Sequence, residues 1–392
     1  MPEDKRQRVL VLSEIISPYR IPVFNALARH HDDLDLHVAF LSETDSGLRQ
    51  WPVYKDEIQF SYEVLSSCRL RAKSRNLLLN WGLWSCLKKF SPHAIICGGY
   101  NYLASWEALH WAHSHQAALI LWSESNGGDA RSGRQWIESL KSYFLSRCDR
   151  FLVPGRASRD YLRSFGSARQ HILTAPNAVD NDWFRTRAAN IRRRSEEFRS
   201  RLGLPSRFLL FVGRLVPAKG VFDLLEAYSR LHPDLRAGIA LVLAGDGPAK
   251  PELERQSRQI CPGTVLFPGF LHREDLAGFY ALADALVLPT HSDAWGLVVN
   301  EAMACSLPII VSAVAGCSTD LVEHAWNGYV VPPRDVNQLS LAIDLLLRNP
   351  AIRQEMGTRS SERIRHYSPE ACARGLAAAA LSASNRSPIE AQ

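Results

Sequence analysis

The chain has 392 residues, 46 Lys and Arg against 40 Asp and Glu, and a hydrophobic fraction of 46%. That length suits two ordinary domains, and the composition excludes a disordered or fibrous chain. A net charge of +6 without an aromatic-interleaved basic patch or a nucleic-acid motif argues against DNA or RNA as partner.

The first residues are polar and charged, and Val9-Leu10-Val11-Leu12 is too short for a signal-peptide core. No run approaches the ~20 apolar residues of a membrane span. The expectation is a cytoplasmic protein. The eight cysteines are scattered without a C-x-x-C pair, which reads as reduced, mostly buried thiols rather than a metal site. His110, His113 and His115 do not share one helical face, so a metal there is not expected either.

Strand-like runs open the chain at Val9–Glu14, Leu36–Leu41, Phe60–Leu65, Ala94–Cys97, Leu119–Trp122, Phe151–Val153 and Ile172–Thr174. Helical patterns fall between them at Ile21–Arg29, Asn76–Phe90, Leu103–His113 and Trp136–Ser146. The stripe Trp136, Ile137, Leu140, Tyr143 and Phe144 reads first as core, and second as a face that dips into a membrane interface. Arg69, Arg71, Lys73 and Arg75 form one basic cluster, and Arg185 to Arg207 holds eight arginines against Glu196 and Glu197. These read as solvated linker and loop surface, or as attraction to an anionic membrane leaflet or lipid-linked acceptor.

After Pro176-Asn177-Ala178-Val179-Asp180 the alternation stops, and a charged stretch runs to Pro205. A second series follows at Phe208–Val212, Ile239–Ala244, Val265–Phe267, Ala285–Leu288, Ile309–Val311 and Tyr329–Val331, and a last helix at Ser368–Leu381. Strands alternating with helices signal parallel α/β units. Two such series predict an N-terminal domain at 1–180, a charged linker at 181–205, a second domain at 206–366 and a closing helix at 367–384. Ligands of such folds bind beyond the carboxyl ends of strands, so the cleft between the domains is the expected site.

Several loops carry candidate chemistry. Gly213-Arg214-Leu215-Val216-Pro217-Ala218-Lys219-Gly220 follows a strand and can set two cations beside a diphosphate, although a surface turn explains it too. Gly245-Asp246-Gly247-Pro248 contains a lone G-x-G without the third glycine of a dinucleotide fingerprint. In Phe267-Pro268-Gly269-Phe270-Leu271, Gly269 could let the backbone approach a base beside Phe270. In Asp293-Ala294-Trp295-Gly296-Leu297-Val298-Val299-Asn300-Glu301 the helix starts near Gly296. Glu301 then has Leu297, Val298, Ala304 and Cys305 on its face. A carboxylate among apolar neighbours is either neutralised by a cation or waits for a ligand that brings hydroxyl donors. The first amides of this helix can hold an anion, and Asp293 precedes them. Two carboxylates and a phosphate cradle suit a nucleotide sugar. In the first half, Arg20 follows the opening strand, Gly98-Gly99-Tyr100 follows the fourth, and Glu124 follows the fifth.

Asp293 to Pro308 (DAWGLVVNEAMACSLP) resembles the E-x7-E region of family-4 retaining glycosyltransferases, and Gly213 to Gly220 matches their G-R-x-x-x-x-K-G turn. The resemblance implies the GT-B fold, an α/β architecture of two doubly wound parallel-sheet (Rossmann-like) domains facing each other across a cleft, with the closing helix crossing back to the first domain. It implies that Glu301 holds the donor ribose, Asp293 the donor sugar, and Arg214 and Lys219 the phosphates. Gly296, Leu297 and Val298 line the phosphate cradle, and Gly269 and Phe270 flank the base. Glu124 corresponds to a position that orients the acceptor or assists as base. The sequence departs from the pattern at Asp293, where relatives have Glu, and in lacking a glycine-rich opening turn. The expected activity is retaining transfer of a sugar from a nucleotide diphosphate donor to an acceptor hydroxyl (EC 2.4 class), in polysaccharide or lipid-linked glycan synthesis. Arg214, Lys219 and the helix terminus would do a metal ion's work, so no metal and no cofactor besides the donor are expected. The expected partners are that donor, a glycan or lipid-linked acceptor and peripheral contact with the inner face of an anionic membrane. Alternatives are a nucleotide-sugar epimerase or hydrolase on the same scaffold, and a non-catalytic nucleotide-sugar-binding protein.

Overall fold

A computed structural model describes residues 6–45, 51–72, 75–127, 135–167 and 171–384; the side chains of 71, 72, 75, 76, 135, 136 and 384 are not among those described. The chain divides into two compact units, one of residues 1–177 with 369–392 and one of residues 178–368.

In the first unit the strands are β1 (Gln7–Ile15), β2 (Leu34–Ser42), β3 (Ser61–Val64), β4 (Ser66–Ala72), β5 (Arg75–Trp81), β6 (Ala94–Cys97), β7 (Ala118–Trp122), β8 (Arg150–Val153) and β9 (Ile172–Thr174). Seven of them form one parallel sheet in the order β3-β2-β1-β6-β7-β8-β9, and β4 and β5 pair antiparallel in a ribbon of their own. Central strands such as β6 and β7 are buried along their whole length, as unbroken apolar runs covered by helices on both faces should be. The helix Pro369–Ser384 completes this unit. Its Cys372, Leu376, Ala379 and Ala380 are buried, and Gln7 Nε2 donates to the Ala380 carbonyl at 2.9 Å. Gly375 passes so close to the end of β9 that a Cβ would lie 2.3 Å from the Thr174 carbonyl oxygen.

The second unit holds β10 (Phe208–Val212), β11 (Ala240–Ala244), β12 (Val265–Gly269), β13 (Ala285–Leu288), β14 (Ile309–Ser312) and β15 (Gly328–Val331), all parallel in the order β12-β11-β10-β13-β14-β15. Strand order reverses between β10 and β13, where the helices leaving the two strands diverge to opposite faces and open a crevice.

Three readings of the sequence are corrected here. Residues 76–81 are not helical: they form β5, and the helix begins only at Leu83, after Gly82 at φ 94°. The run Leu77-Leu78-Leu79 fits either period, and pairing with β4 decides it, burying Leu78 and leaving Leu77 exposed opposite Leu70. Residues 181–205 are not a linker. They carry the helices Asn181–Arg193 and Ser195–Leu202, the first of which packs on the helices Arg273–Leu282 and Leu297–Ala304 within the second unit. Of the arginines from 185 to 207, Arg185, Arg193 and Arg194 are exposed with only local partners, while others bind neighbouring elements. Arg192 caps the carbonyls of Ala281 and Cys305, Arg199 reaches those of Pro205 and Leu282, and Arg201 and Arg207 pair with Asp275 and Asp284. A guanidinium suits helix C-termini, where unpaired carbonyls and the dipole concentrate negative charge. Finally, the stripe read as core is split. Phe144 is fully buried, but Ile137, Leu140 and Tyr143 are exposed, and Tyr143 stacks flat on Trp106. In the other basic cluster, Arg69 pairs with Glu14 and Asp45, while Lys73 and the side chains of Arg71 and Arg75 lie outside the described residues.

Candidate functional site

The crevice of the second unit is built from the loops that leave the carboxyl ends of its strands. After β10 the chain turns through Gly213 to Gly220. It is stitched to the next loop by Gly213 N–H to the Ala244 carbonyl at 3.0 Å and Leu215 N–H to the Asp246 carbonyl at 2.9 Å. Only glycine fits at the centre of this seam. Gly245 has φ 141°, and a Cβ there would lie 1.9 Å from the Gly213 oxygen. Gly245 N–H in turn donates to the Gly269 carbonyl at 2.8 Å, which ties in the end of β12. The G-x-G turn therefore serves as a backbone hinge pin between three loops. Gly269 itself has φ 80°, and Phe270 beyond it is exposed, edge-on to His272.

Across the switch point the loop after β13 is pinned to the turn after β10. His291 N–H donates to the Ala218 carbonyl at 2.8 Å, and the His291 ring meets Asp223 at 2.7 Å. Lys219 Nζ then lies 2.5 Å from Asp293 Oδ2. The two motifs, 74 residues apart in sequence, meet as an ion pair whose members are mostly but not wholly buried. Asp293 is fixed from behind as well, because Gly316 N–H donates to its carbonyl at 3.0 Å. The Arg214 guanidinium is exposed and has no ion-pair partner among the described residues. It is the exposed cation of the two that the turn presents.

Gly296 starts the helix Leu297–Ala304 from φ 100°. A Cβ at this position would press on Leu288, 3.0 Å away, so glycine serves both the left-handed turn and the close approach to β13. The amides of Leu297 and Val298, in the half-exposed first turn, have no carbonyl one turn before them inside the helix. One turn further along, Glu301 is only 2% exposed, and its Oε2 accepts a hydrogen bond of 2.6 Å from the hydroxyl of Tyr280, itself fully buried. One partner of this carboxylate among its apolar neighbours is thus a phenol on the helix Arg273–Leu282. Arg192 binds the C-terminal carbonyl of the Glu301 helix at Cys305, and burial pushes this guanidinium's pKa down from its usual value. Burial likewise pushes the Cys305 and Cys317 thiols up, so both remain neutral beside the helix. Tyr280 and Arg192 were not legible in the sequence, since each acts on this helix from a distant segment without a motif around it.

The first unit has its own switch point between β1 and β6. There Arg20, just before the helix Ile21–His30, ion-pairs with Glu124 from the loop after β7, and its guanidinium lies 3.7 Å over the Trp122 ring. Asn177 Oδ1 is 3.5 Å from the same guanidinium. Gly98, after β6, donates its N–H to the Leu12 carbonyl at 3.0 Å. The structure therefore joins Lys219 to Asp293, with Arg214 in the turn that carries Lys219 and with Gly296, Leu297, Val298 and Glu301 in the helix start and helix that follow Asp293. Gly269 and Phe270 lie two strands from β10 along the same carboxyl edge. Glu124 belongs to the other unit and is joined to Arg20. Gly128 and Asp129 lie outside the described residues.

Comparison with known proteins agrees with this architecture. Residues 193–363 match the family described as glycosyl transferases group 1, and residues 23–183 match glycosyltransferase family 4. The chain is 33% identical over 175 residues to an alpha-D-kanosaminyltransferase of Streptomyces kanamyceticus, covering 44% of this chain and 45% of that protein. It is 30% identical over 211 residues to a D-inositol 3-phosphate glycosyltransferase of Xylanimonas cellulosilytica, covering 53% and 50%. These alignments span about half the length of the curated relatives. Among solved structures, HepE of Anabaena in complex with UDP and glucose superposes with a TM-score of 0.74 at 16% identity, covering 96% of this chain and all of that one. Sucrose-phosphate synthase of Thermosynechococcus elongatus gives 0.72 at 20% identity, covering 95% and 98%. At such identities the likeness concerns the fold, which is GT-B with two parallel-sheet Rossmann-like units.

Proposed function

The chain belongs to the group 1, family-4 glycosyltransferases, and from that premise we propose that it moves a sugar from a nucleotide diphosphate donor to an acceptor hydroxyl with retention of configuration. The observation that carries this reading is the meeting of Lys219 and Asp293 at the strand-order reversal, in the loop that leads into the helix of Glu301. Opposite charges one hydrogen bond apart are poised to exchange partners. A diphosphate entering the crevice takes Lys219, and Asp293 is freed to accept hydroxyls of the donor sugar.

In this reading Glu301, steadied by Tyr280, accepts hydrogen bonds from the ribose. Gly269 and Phe270 border the base. Arg214, Lys219 and the amides of Leu297 and Val298 stabilise the charge that grows on the leaving diphosphate. They are oriented before the reaction, so the transition state is not charged for reorganising them, and one such donor lowers the barrier by about 3 kcal/mol. The donor set is cationic and amide in character, which suits leaving-group stabilisation by the protein itself. Glu124, paired with Arg20, is assigned to acceptor orientation. A uridine donor is favoured by the fold neighbours solved with UDP.

Assembly of polysaccharide or lipid-linked glycan is the proposed setting. An anionic membrane surface is the proposed peripheral partner, because Leu70, Leu77 and Trp81 on the ribbon, and Ile137, Leu140 and Tyr143 on a helix, expose apolar side chains. The facing ends of β4 and β5 and the two residues between them supply Arg71, Lys73 and Arg75. Among the described residues no helix is long and apolar enough to cross a membrane. The decisive experiment is release of nucleoside diphosphate from nucleotide sugars with and without candidate acceptors. Release that requires acceptor supports transfer; release without acceptor points to a hydrolase, and binding without release to a non-catalytic module. Turnover within a few-fold of wild type in both Glu301→Ala and Arg214→Ala would refute the site.

A further inference from the structure

Away from the donor crevice, three side chains of different elements converge in the first unit. His37 stands on β2, Glu63 on β3 and Cys86 on the helix Leu83–Phe90, and one donor atom of each lies within 4.8 Å of those of the other two. The sheet sets this up. In the parallel register His37 is opposite Ser61 and Ala39 opposite Glu63, so positions 37 and 63 are diagonal neighbours on one face. The helix covering that face supplies Cys86, which is buried.

The surroundings resemble those of a ligand set more than those of a chance cluster. The Ser61 hydroxyl is 2.8 Å from His37 Nδ1 and fixes the ring, and Phe90 packs against the imidazole with centroids 5.2 Å apart. Glu63 Oε1 is buried and has no hydrogen-bond partner among the described residues. A buried carboxylate oxygen without a donor is rare and asks for an occupant.

We propose that His37, Glu63 and Cys86 bind a divalent cation of the zinc class, with a water molecule as fourth ligand. Imidazole, carboxylate and thiolate are donors zinc accepts in tetrahedral geometry. At bond lengths of about 2.0–2.3 Å such donors lie roughly 3.4–3.8 Å apart, so the present cluster needs to close by about 1 Å. The charges balance, since one thiolate and one carboxylate neutralise the ion and no net charge is left in a half-buried place. Binding breaks the Cys86 S–H bond: the sulfur pair goes to the metal and the proton to solvent, so uptake is accompanied by release of one proton. Ser61 acts from behind His37, the position from which outer partners orient a ligating imidazole. The ion would tie β2, β3 and their covering helix together. No residue of the donor crevice takes part, so the site stands or falls independently of sugar transfer.

The test uses the full chain, stripped with chelator, in a Cys68→Ser background, because Cys68 is the exposed thiol. Titration with Co2+ is followed by absorbance. The expected result is a thiolate-to-cobalt charge-transfer band that saturates at one equivalent and is abolished by excess Zn2+. Cys86→Ala should lose the band, and Glu63→Gln and His37→Ala should bind Co2+ far more weakly. Ser61→Ala should bind about tenfold more weakly, as expected of an outer partner. Absence of the band at one equivalent, or its survival in Cys86→Ala, overturns the proposal. If Cys86→Ala does not fold, Glu63→Gln and His37→Ala decide: cobalt affinity equal to the parent's in both also overturns it.

Discussion

Tyr280→Phe removes one oxygen atom from the structure and keeps the ring that fills the space around it. The lost atom is the donor to Glu301 Oε2, across 2.6 Å between two side chains that are 0% and 2% exposed. Water cannot readily replace it in so closed a place. A hydrogen bond to a charged group contributes about 1.5–3 kcal/mol. For a unit of this size each kcal/mol moves Tm by about 2–4 °C, so the variant should unfold about 3–12 °C lower. A carboxylate held by one donor fewer also samples rotamers that cannot meet a ribose, and donor affinity should fall about tenfold, equivalent to about 1.4 kcal/mol. Scanning calorimetry reads the first quantity, and isothermal titration with the nucleoside diphosphate reads the second. If Tm stays within about 1 °C and Kd does not move, the phenol does not steady Glu301, and the account of this carboxylate is wrong.

Other substitutions separate structural from chemical roles. Arg214→Ala should leave Tm nearly unchanged, within about 0.5 kcal/mol of stability, since this exposed side chain has no ion-pair partner among the described residues. It should nonetheless lower kcat by about 100-fold in a diphosphate-release assay. Gly245→Ala sets a methyl group 1.9 Å from a carbonyl oxygen at φ 141°, so a loss of more than about 4 kcal/mol, seen as insoluble or unfolded protein, is expected. Gly269→Ala, at φ 80° with nothing within 4 Å, should cost only about 1–2 kcal/mol in urea unfolding. His93 Nδ1 accepts the Arg8 N–H at 3.0 Å, and burial together with Arg8 pushes its pKa below the usual 6.5. A depressed folded pKa gives stability that is present above pH 6.5 and is lost as pH falls through the folded value. His93→Gln should therefore flatten the pH dependence of urea unfolding in that acidic window. Leu140→Glu should reduce sedimentation with anionic vesicles without changing turnover on a soluble acceptor, and unchanged sedimentation would dismiss that face as a membrane contact.

Much of the architecture was legible because buried parallel strands are written as short runs of Val, Ile, Leu and Phe. Phe208–Val212, Ala285–Leu288 and Ile309–Val311 need no tertiary information to be read as strands. The two motifs of the crevice were legible for the same reason, since each is local. What the sequence does not display is adjacency. Nothing in it says that β13 rather than β11 lies on one side of β10, yet this places Lys219 against Asp293. Tyr280 and Arg192 were invisible because a lone tyrosine or arginine on a helix has no signature until a partner helix lies across it. The ribbon of β4 and β5 was misread because three consecutive leucines satisfy either period. Among the arginines of 185–207, the roles of Arg192 and Arg199 were hidden because charge alone does not tell a solvated side chain from one that caps a neighbouring helix.

The first unit is discontinuous in sequence, and this sets an order of assembly. Residues 178–368 are contiguous, so a nascent chain can finish their hydrophobic core as soon as they emerge. The earlier-made portion must wait, because the apolar groove over β7, β8 and β9 stays bare until the last helix, with its Cys372, Leu376 and Ala379, has been translated. The half synthesised first is therefore the half that matures last, and for that interval its exposed sheet face is a natural client for chaperones.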